Sequence, residues 1–263
     1  MGAPPKIEIR VDAAFPHLDR APITEAVLEL RTLAEAPWEE TEIQPKLQAA
    51  LPDYPTFHTS QRIKQAFAIS PGQPPQQTLS DLGWQGLQFQ SADSLNLAGF
   101  YRESFVFSRQ RPYTDWARFT GEAFRLWEFH VSLAQPSEIQ RAGLRFINQV
   151  ELDSDEPDLS RFLRFPPRSP EGLGAPFNFF FHQDNLTVPG HRYSLTLNRA
   201  LQPKQDLGGG KTISAKLILD IDVGTTVAIG LEQLRPCLAE MRWLKNKAFF
   251  GSFTEAAINA FKK

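Results

Sequence analysis

Cysteine is nearly absent from this sequence of 263 residues, in which Cys237 stands alone. A single thiol excludes a disulfide framework within the chain and is typical of a protein from a reducing compartment. The histidines include no H-x-x-x-H pair, so the sequence does not indicate a zinc site either. The fold must therefore be stabilised by a hydrophobic core, for which the chain is long enough.

Long apolar runs and an excess of charge of either sign are also missing. No apolar run reaches the roughly 18 residues that a membrane-spanning helix needs. The first residues, MGAPPKIEIRVD, contain no apolar segment typical of a signal peptide. The sequence therefore predicts a cytoplasmic protein with no membrane partner. A net charge of -2 disfavours binding of nucleic acid mainly through phosphate contacts, unless a local basic patch exists.

Alternating apolar and polar residues are abundant, and 21 phenylalanines suit a core built on the faces of a sheet. The alternation predicts strands at 7–11, 25–31, 62–70, 84–91, 100–108, 143–152, 177–184, 192–199 and 215–223. Helical spacing predicts helices at 37–51, 116–127, 158–165 and 234–244. Ser252 and Glu255 have the spacing of a capping box that opens a last short helix.

The order of these elements, β-α-β-β-β-α, occurs twice, with a boundary near residue 135. Residues 1–135 and 136–263 are therefore predicted to be two halves packed as one globular unit. Short loops between consecutive strands indicate antiparallel pairing, so the predicted class is α+β with helices behind one sheet. The order resembles the duplicated unit of the TATA-binding-protein-like fold, which implies one broad curved sheet.

The stretch SRQRPYTDWARF at 108–119 is rich in arginine and aromatic residues for its length. Much of it suits the junction between a strand and a helix. Thr114 is a candidate cap, Asp115 suits the first helical turn, and Trp116 and Phe119 begin the buried stripe of the helix.

Three residues of the junction, Arg109, Arg111 and Tyr113, are not required by this local structure. In the strand GLRFINQVEL, Arg145 and Gln149 share the face opposite the apolar side chains that pack on the helices. These five residues form the predicted binding contacts. Solvated salt bridges with nearby acidic residues are the competing interpretation of the arginines.

Two further motifs suggest chemistry only weakly. Asp220 and Asp222 share one face of the strand LILDIDV and are weak candidates for Mg²⁺ ligands, but no third carboxylate completes the site. The stretch DLGGGKTIS at 206–214 lacks the first glycine of a P-loop, where Gln205 stands, and reads as a hairpin loop. The sequence predicts no cofactor.

Five segments occur in an order that resembles a known family. They are APITEAVLELR, FSRQRPYTDWARF, GLRFINQVEL, LILDIDV and LKNKAFFGSFTEAAINAF, and they span residues 21–262. Together they look like a family of sporadically distributed bacterial proteins without established catalytic residues. The resemblance implies a patchy distribution of the kind found for mobile or defence-associated genes.

Three functions follow as hypotheses. The first is a non-catalytic binding protein that captures a protein partner encoded nearby, and a homodimer is also compatible with it. The second is a nucleic-acid-binding protein that uses the open face of the sheet, where arginines alternate with aromatic residues. The third is a Mg²⁺-dependent nuclease or nucleotidyltransferase that uses Asp220 and Asp222. The missing catalytic constellation and the charge near neutrality favour the first.

Overall fold

The computed structural model describes the backbone of residues 7–68, 76–152, 158–206 and 212–262, and their side chains except at 62–68, 76–82, 205–206 and 212–213. The strands in these ranges are β1 (Ile23–Arg31), β2 (Thr56–Ala68), β3 (Gln76–Gln90), β4 (Asn96–Tyr101), β5 (Ser104–Gln110), β6 (Arg141–Leu152), β7 (Phe180–Thr187), β8 (Tyr193–Gln202), β9 (Gln205–Asp206), β10 (Thr212–Ile213) and β11 (Ala215–Thr225). The helices are α1 (Glu40–Ala50), α2 (Trp116–Ala134), α3 (Leu234–Ser252) and α4 (Glu255–Phe261).

Nine of these strands form one open antiparallel sheet, in the order β2-β3-β4-β5-β1-β6-β11-β8-β7. The predicted α+β class with an antiparallel sheet is therefore confirmed. In each half, the first strand lies at the centre of the sheet and pairs with the last strand of that half. The remaining strands follow outward in reverse chain order. The short strands β9 and β10 pair with each other outside this sheet.

The two halves meet where β1 pairs with β6, in a register that runs from Glu25 opposite Ile147 to Arg31 opposite Arg141. Apolar side chains such as Leu28 on β1 point to the helix side and are fully buried. We call this side the helix face. The helix α2 contacts β5, and α3 contacts β6 and β11. We call the opposite side of the sheet the open face.

Two predicted strands are wrong. Residues 7–10 are irregular and Val11 lies in an exposed turn, because none of the described strands pairs with them. The segment 100–108 is not one strand, since β4 ends at Tyr101 and β5 begins at Ser104. The two strands form a tight hairpin in which Tyr101 is opposite Ser104. The turn contains neither glycine nor proline, so its sequence carries no turn signal.

Helix boundaries also differ from the expected ones. Asp115, not Thr114, caps α2, because its carboxylate accepts a hydrogen bond from the Arg118 amide at 2.8 Å. Thr254 caps α4 in place of Ser252, whose hydroxyl donates to the Ala248 carbonyl within α3.

Two helices are shorter than predicted. The helix expected from Pro37 begins at Glu40. The one expected at 158–165 is a single 3₁₀ turn at Leu159–Arg161. Of the expected strand 62–70, the last two residues lie outside the described ranges, as does most of the hairpin loop 206–214.

The N-terminal segment, residues 7–22, packs against the loop between β7 and β8 and against the helices α3 and α4. The Ile7 amide donates to the Pro189 carbonyl at 3.3 Å, and the Arg20 amide donates to the Phe261 carbonyl at 2.9 Å. The Phe15 ring stacks on Phe250 with ring centroids 5.5 Å apart. Within the described residues, none of the helices is both long enough and apolar enough to span a bilayer.

Candidate functional site

Arg109 is held in place by its own neighbours at the junction between β5 and α2. Its guanidinium donates to Asn96 Oδ1 at 3.1 Å and to the Pro112 carbonyl at 3.4 Å. It also lies 3.8 Å from Asp93 Oδ2, and only 19 % of its side chain is exposed. Arg109 therefore fixes the loop before β4 to the junction.

Tyr113 and Arg111 have different positions in the same junction. The Tyr113 ring packs edge-on against Phe146 at 5.5 Å between centroids and also contacts Phe119. Burial raises the pKa of the Tyr113 hydroxyl, so it stays protonated at neutral pH. The Arg111 side chain is exposed, while its amide donates to the Thr24 carbonyl. Among the three candidates of the junction, Arg111 alone is predominantly exposed.

Arg145 lies on the open face, as the alternation of its strand predicts, and binds a carboxylate there. Its Nε donates to Asp220 Oδ1 at 2.8 Å and its terminal nitrogen donates to Oδ2 at 2.7 Å. Asn198 adds a third hydrogen bond to Asp220, whose side chain is only 7 % exposed. Gln149 lies on the same face, opposite Ile218. Both carboxylate oxygens of Asp220 therefore accept hydrogen bonds from other side chains of the protein.

Arg141, which the sequence did not single out, joins the two halves on the open face. It donates to Glu29 Oε2 on β1 and to Asp222 Oδ2 on β11, each at 3.1 Å. Its guanidinium lies beside Gly143 and Gly224, where an added Cβ would come within 2.6 Å of it. Burial raises the pKa of Asp222 although Arg141 opposes this effect. Two glycines opposite each other on neighbouring strands were the only sequence signal for this contact.

Charges of both signs balance on the open face of β1, β6 and β11. It carries five acidic side chains and four basic ones. The acidic residues are Glu25, Glu29, Glu151, Asp220 and Asp222, and the basic ones are Arg31, Arg141, Arg145 and Lys216. This balance gives no positive field to hold a phosphate backbone. No cluster of three or more His, Cys, Asp or Glu side chains suited to a metal occurs among the described residues.

Exposed apolar side chains concentrate in the segment 165–186, which ends in the outermost strand, β7. They are Phe165, Leu173, Phe179, Phe181 and Leu186. Phe181 is 55 % exposed, although it lies within a strand of the sheet. Edge strands usually carry charge or are covered, because an uncovered apolar edge recruits other strands. The sequence predicted a strand here but gave no signal that it lies at the edge.

At the outer side of β7, the backbone groups have no hydrogen-bond partner among the described residues. The Val188 amide donates to the Tyr193 carbonyl at 3.0 Å at the start of the hairpin with β8. Since hydrogen-bonded pairs alternate in an antiparallel ladder, the peptide groups of Phe181, Gln183 and Asn185 point away from β8. They form the outer edge of the nine-stranded sheet.

The first half of the sheet covers the corresponding strand, β3, with its own β2. In the second half, the segment at the position along the chain that corresponds to β2 is 162–179, and it forms no strand. It contains four prolines, which have no amide hydrogen and disfavour a ladder. The prolines are Pro166, Pro167, Pro170 and Pro176. In the part of the chain that the structure describes, no strand therefore covers β7.

A search of protein-family models gave no match to this chain, and no curated protein matches it. The resemblance to a sporadic bacterial family stays a prediction.

Proposed function

We propose that the protein is a binding module that captures an extended segment of a partner protein along the outer edge of β7. The observation that carries the proposal is the uncovered strand with exposed apolar side chains on both of its faces. Phe181 lies on the open face and Leu186 on the helix face. A segment added as a tenth strand would gain main-chain hydrogen bonds and bury these side chains.

The other edge of the sheet supports this choice by contrast. The described side chains of β2 at 56–61 are mostly polar and exposed, with Thr56, His58 and Gln61 among them. Such an edge is protected against association by its polarity. The partner segment suited to β7 is extended, has apolar residues on both faces, and contains few prolines.

The test is co-purification of the protein from its host with neighbouring genes intact, followed by mass spectrometry, with and without nuclease. Two variants alter the edge: Asn185→Pro removes an outward amide, and Phe181→Glu places a charge on the exposed apolar side. Leu33→Glu is the matched control, because Leu33 is 49 % exposed but lies outside the segment 165–186.

We expect a stoichiometric protein that survives nuclease, is lost in both edge variants and is kept in the control. A partner that both edge variants retain would overturn the proposal. Bound material that disappears with nuclease would favour binding of nucleic acid. A change of mass to that of a dimer, abolished by both edge variants, would identify a second copy as the occupant.

A further inference from the structure

A cavity of about 470 Å³ lies on the helix face, remote in the sheet order from β7. The N-terminal segment, the junction before α2 and the helix α3 enclose it. Its size is within the range of small-molecule sites. Several of its walls are aromatic, including Phe15, Trp116, Trp243 and Phe250.

Two cations on α3 line this cavity. Arg242 and Lys245 are one helical turn apart, so they lie on the same side of the helix. The Lys245 ammonium is 4.1 Å from the centroid of the Phe146 ring, and the Arg242 guanidinium is 5.3 Å from that of Trp116. Within the described ranges neither forms an ion pair with a carboxylate. Arg242 is exposed, whereas Lys245 is only partly exposed. A partly buried cation without a partner is costly, so an anionic ligand would remove that cost at Lys245.

Asn148 adds an unused hydrogen-bond acceptor to the wall of the cavity. It is 1 % exposed, and its amide nitrogen donates to the Leu219 carbonyl at 2.9 Å. Among the described residues, no group donates a hydrogen bond to its Oδ1 atom. A buried acceptor of this kind is rarely left unpaired, so a donor on a ligand is expected to bind it.

The other charged groups that line the cavity do not neutralise the two cations. Asp115 caps α2 and lies 3.6 Å from Arg118. Asp12 is exposed, and His17 lies 3.5 Å from Asp19. Burial, together with the positive charge of Arg242, lowers the pKa of Lys245 to about 7. Tyr113 is neutral, because burial raises its pKa.

We propose that this cavity binds a small aromatic carboxylate that also carries a hydrogen-bond donor. The carboxylate is placed between Lys245 and Arg242, the ring lies against the aromatic walls, and the donor binds Asn148 Oδ1. The site is independent of the β7 edge, so it stands or fails separately from the proposed function.

Calorimetric titration with 4-(hydroxymethyl)benzoate tests this site. Binding above neutral pH should draw about one proton onto Lys245, because the anion stabilises its charged form. The uptake is read from the difference in heat between two buffers of different ionisation enthalpy. It should vanish in acid, where Lys245 is already charged. Two analogues that lack the charge or the donor, 4-(hydroxymethyl)benzamide and 4-methylbenzoate, should bind more weakly.

Variants locate the site on the chain. Lys245→Met should weaken binding by about tenfold or more and abolish the proton uptake. Lys245→Arg should restore binding without the uptake, which separates a role of the charge from a fault in folding. Lys247→Met is the matched control, because Lys247 is exposed on the same helix. No binding of the carboxylate, or unchanged binding and uptake in Lys245→Met, would overturn the proposal.

Discussion

The two halves of the sheet differ most at their outer edges. After its first strand, the first half forms the 11-residue helix α1 and the 13-residue strand β2, which covers β3. At the same place in the order, the second half has a 3₁₀ turn and a proline-rich segment, and β7 stays uncovered. The two halves share one strand order, but β3 is covered by β2 in the first half, whereas β7 is an edge to which another chain can add in the second half.

The two halves are alike in how they fix their long helix. Each helix has 19 residues and carries a glutamate that accepts a hydrogen bond from a buried tyrosine. In the first half Tyr54 donates to Glu122 at 2.7 Å. In the second half Tyr193 donates to Glu240.

The largest expected effect tests whether the halves unfold together. Phe105→Ala in the first half and Ile221→Ala in the second each remove a fully buried side chain. We expect them to lower the free energy of unfolding by about 4 and about 3 kcal/mol. Both should shift one common transition in urea, because one cluster of buried residues joins the halves. Separate transitions by tryptophan fluorescence and circular dichroism would contradict this.

The next effect compares the two arginines of the open face. Arg145→Ala leaves the nearly buried Asp220 without its main partner, although Arg145 itself is 49 % exposed. We expect a loss of about 2 kcal/mol. Arg141→Ala should cost only about 1 kcal/mol, because its partners are better solvated. Urea unfolding measures both, and adding Asp220→Asn to Arg145→Ala should recover stability. Equal losses for the two arginines would be evidence against this ranking.

A third effect depends on pH and belongs to the first half. His130 is fully buried among aromatic rings, and burial lowers its pKa to about 3. The unfolded chain binds the proton near pH 6.5, so the unfolded state holds more protons between these values. Stability should therefore fall below about pH 6.5, by about 1.4 kcal/mol per pH unit.

His130→Phe should flatten this dependence, measured as the urea midpoint against pH. His58→Gln, which alters an exposed histidine, should leave it as steep as in the unaltered protein. The opposite pattern, with the slope retained in His130→Phe, would show that another group causes it.

The smallest effect compares the two tyrosine contacts. Tyr193→Phe should cost about 1.5 kcal/mol, because Glu240 loses the hydroxyl that it binds. Tyr54→Phe should cost about 0.5 kcal/mol, because Glu122 keeps Arg125 at 2.7 Å. Thermal unfolding of both variants ranks them, and a larger loss in Tyr54→Phe would reverse the comparison.

Periodicity predicted most of the sheet, because alternation and helical spacing reflect which side of an element is buried. It failed where the deciding contact is distant in sequence. Arg109 resembles a free binding residue until Asn96 and Asp93 are seen beside it. The same holds for Asp220, whose partner Arg145 lies on another strand. The cavity at Lys245 combines four separate stretches of the chain, so no local motif could indicate it.

The junction of β1 with β6 also decides how the sheet can grow. In a repeat protein each structural unit packs on the free end of the previous unit, so further units can always be added. Here the first strands of the two halves, β1 and β6, pair with each other, as equivalent surfaces do in an isologous dimer. The inner edge of each half is therefore already occupied by the other half. A third unit of the same kind has nowhere to attach at the centre. Any longer sheet must therefore be built outward from β2 or β7.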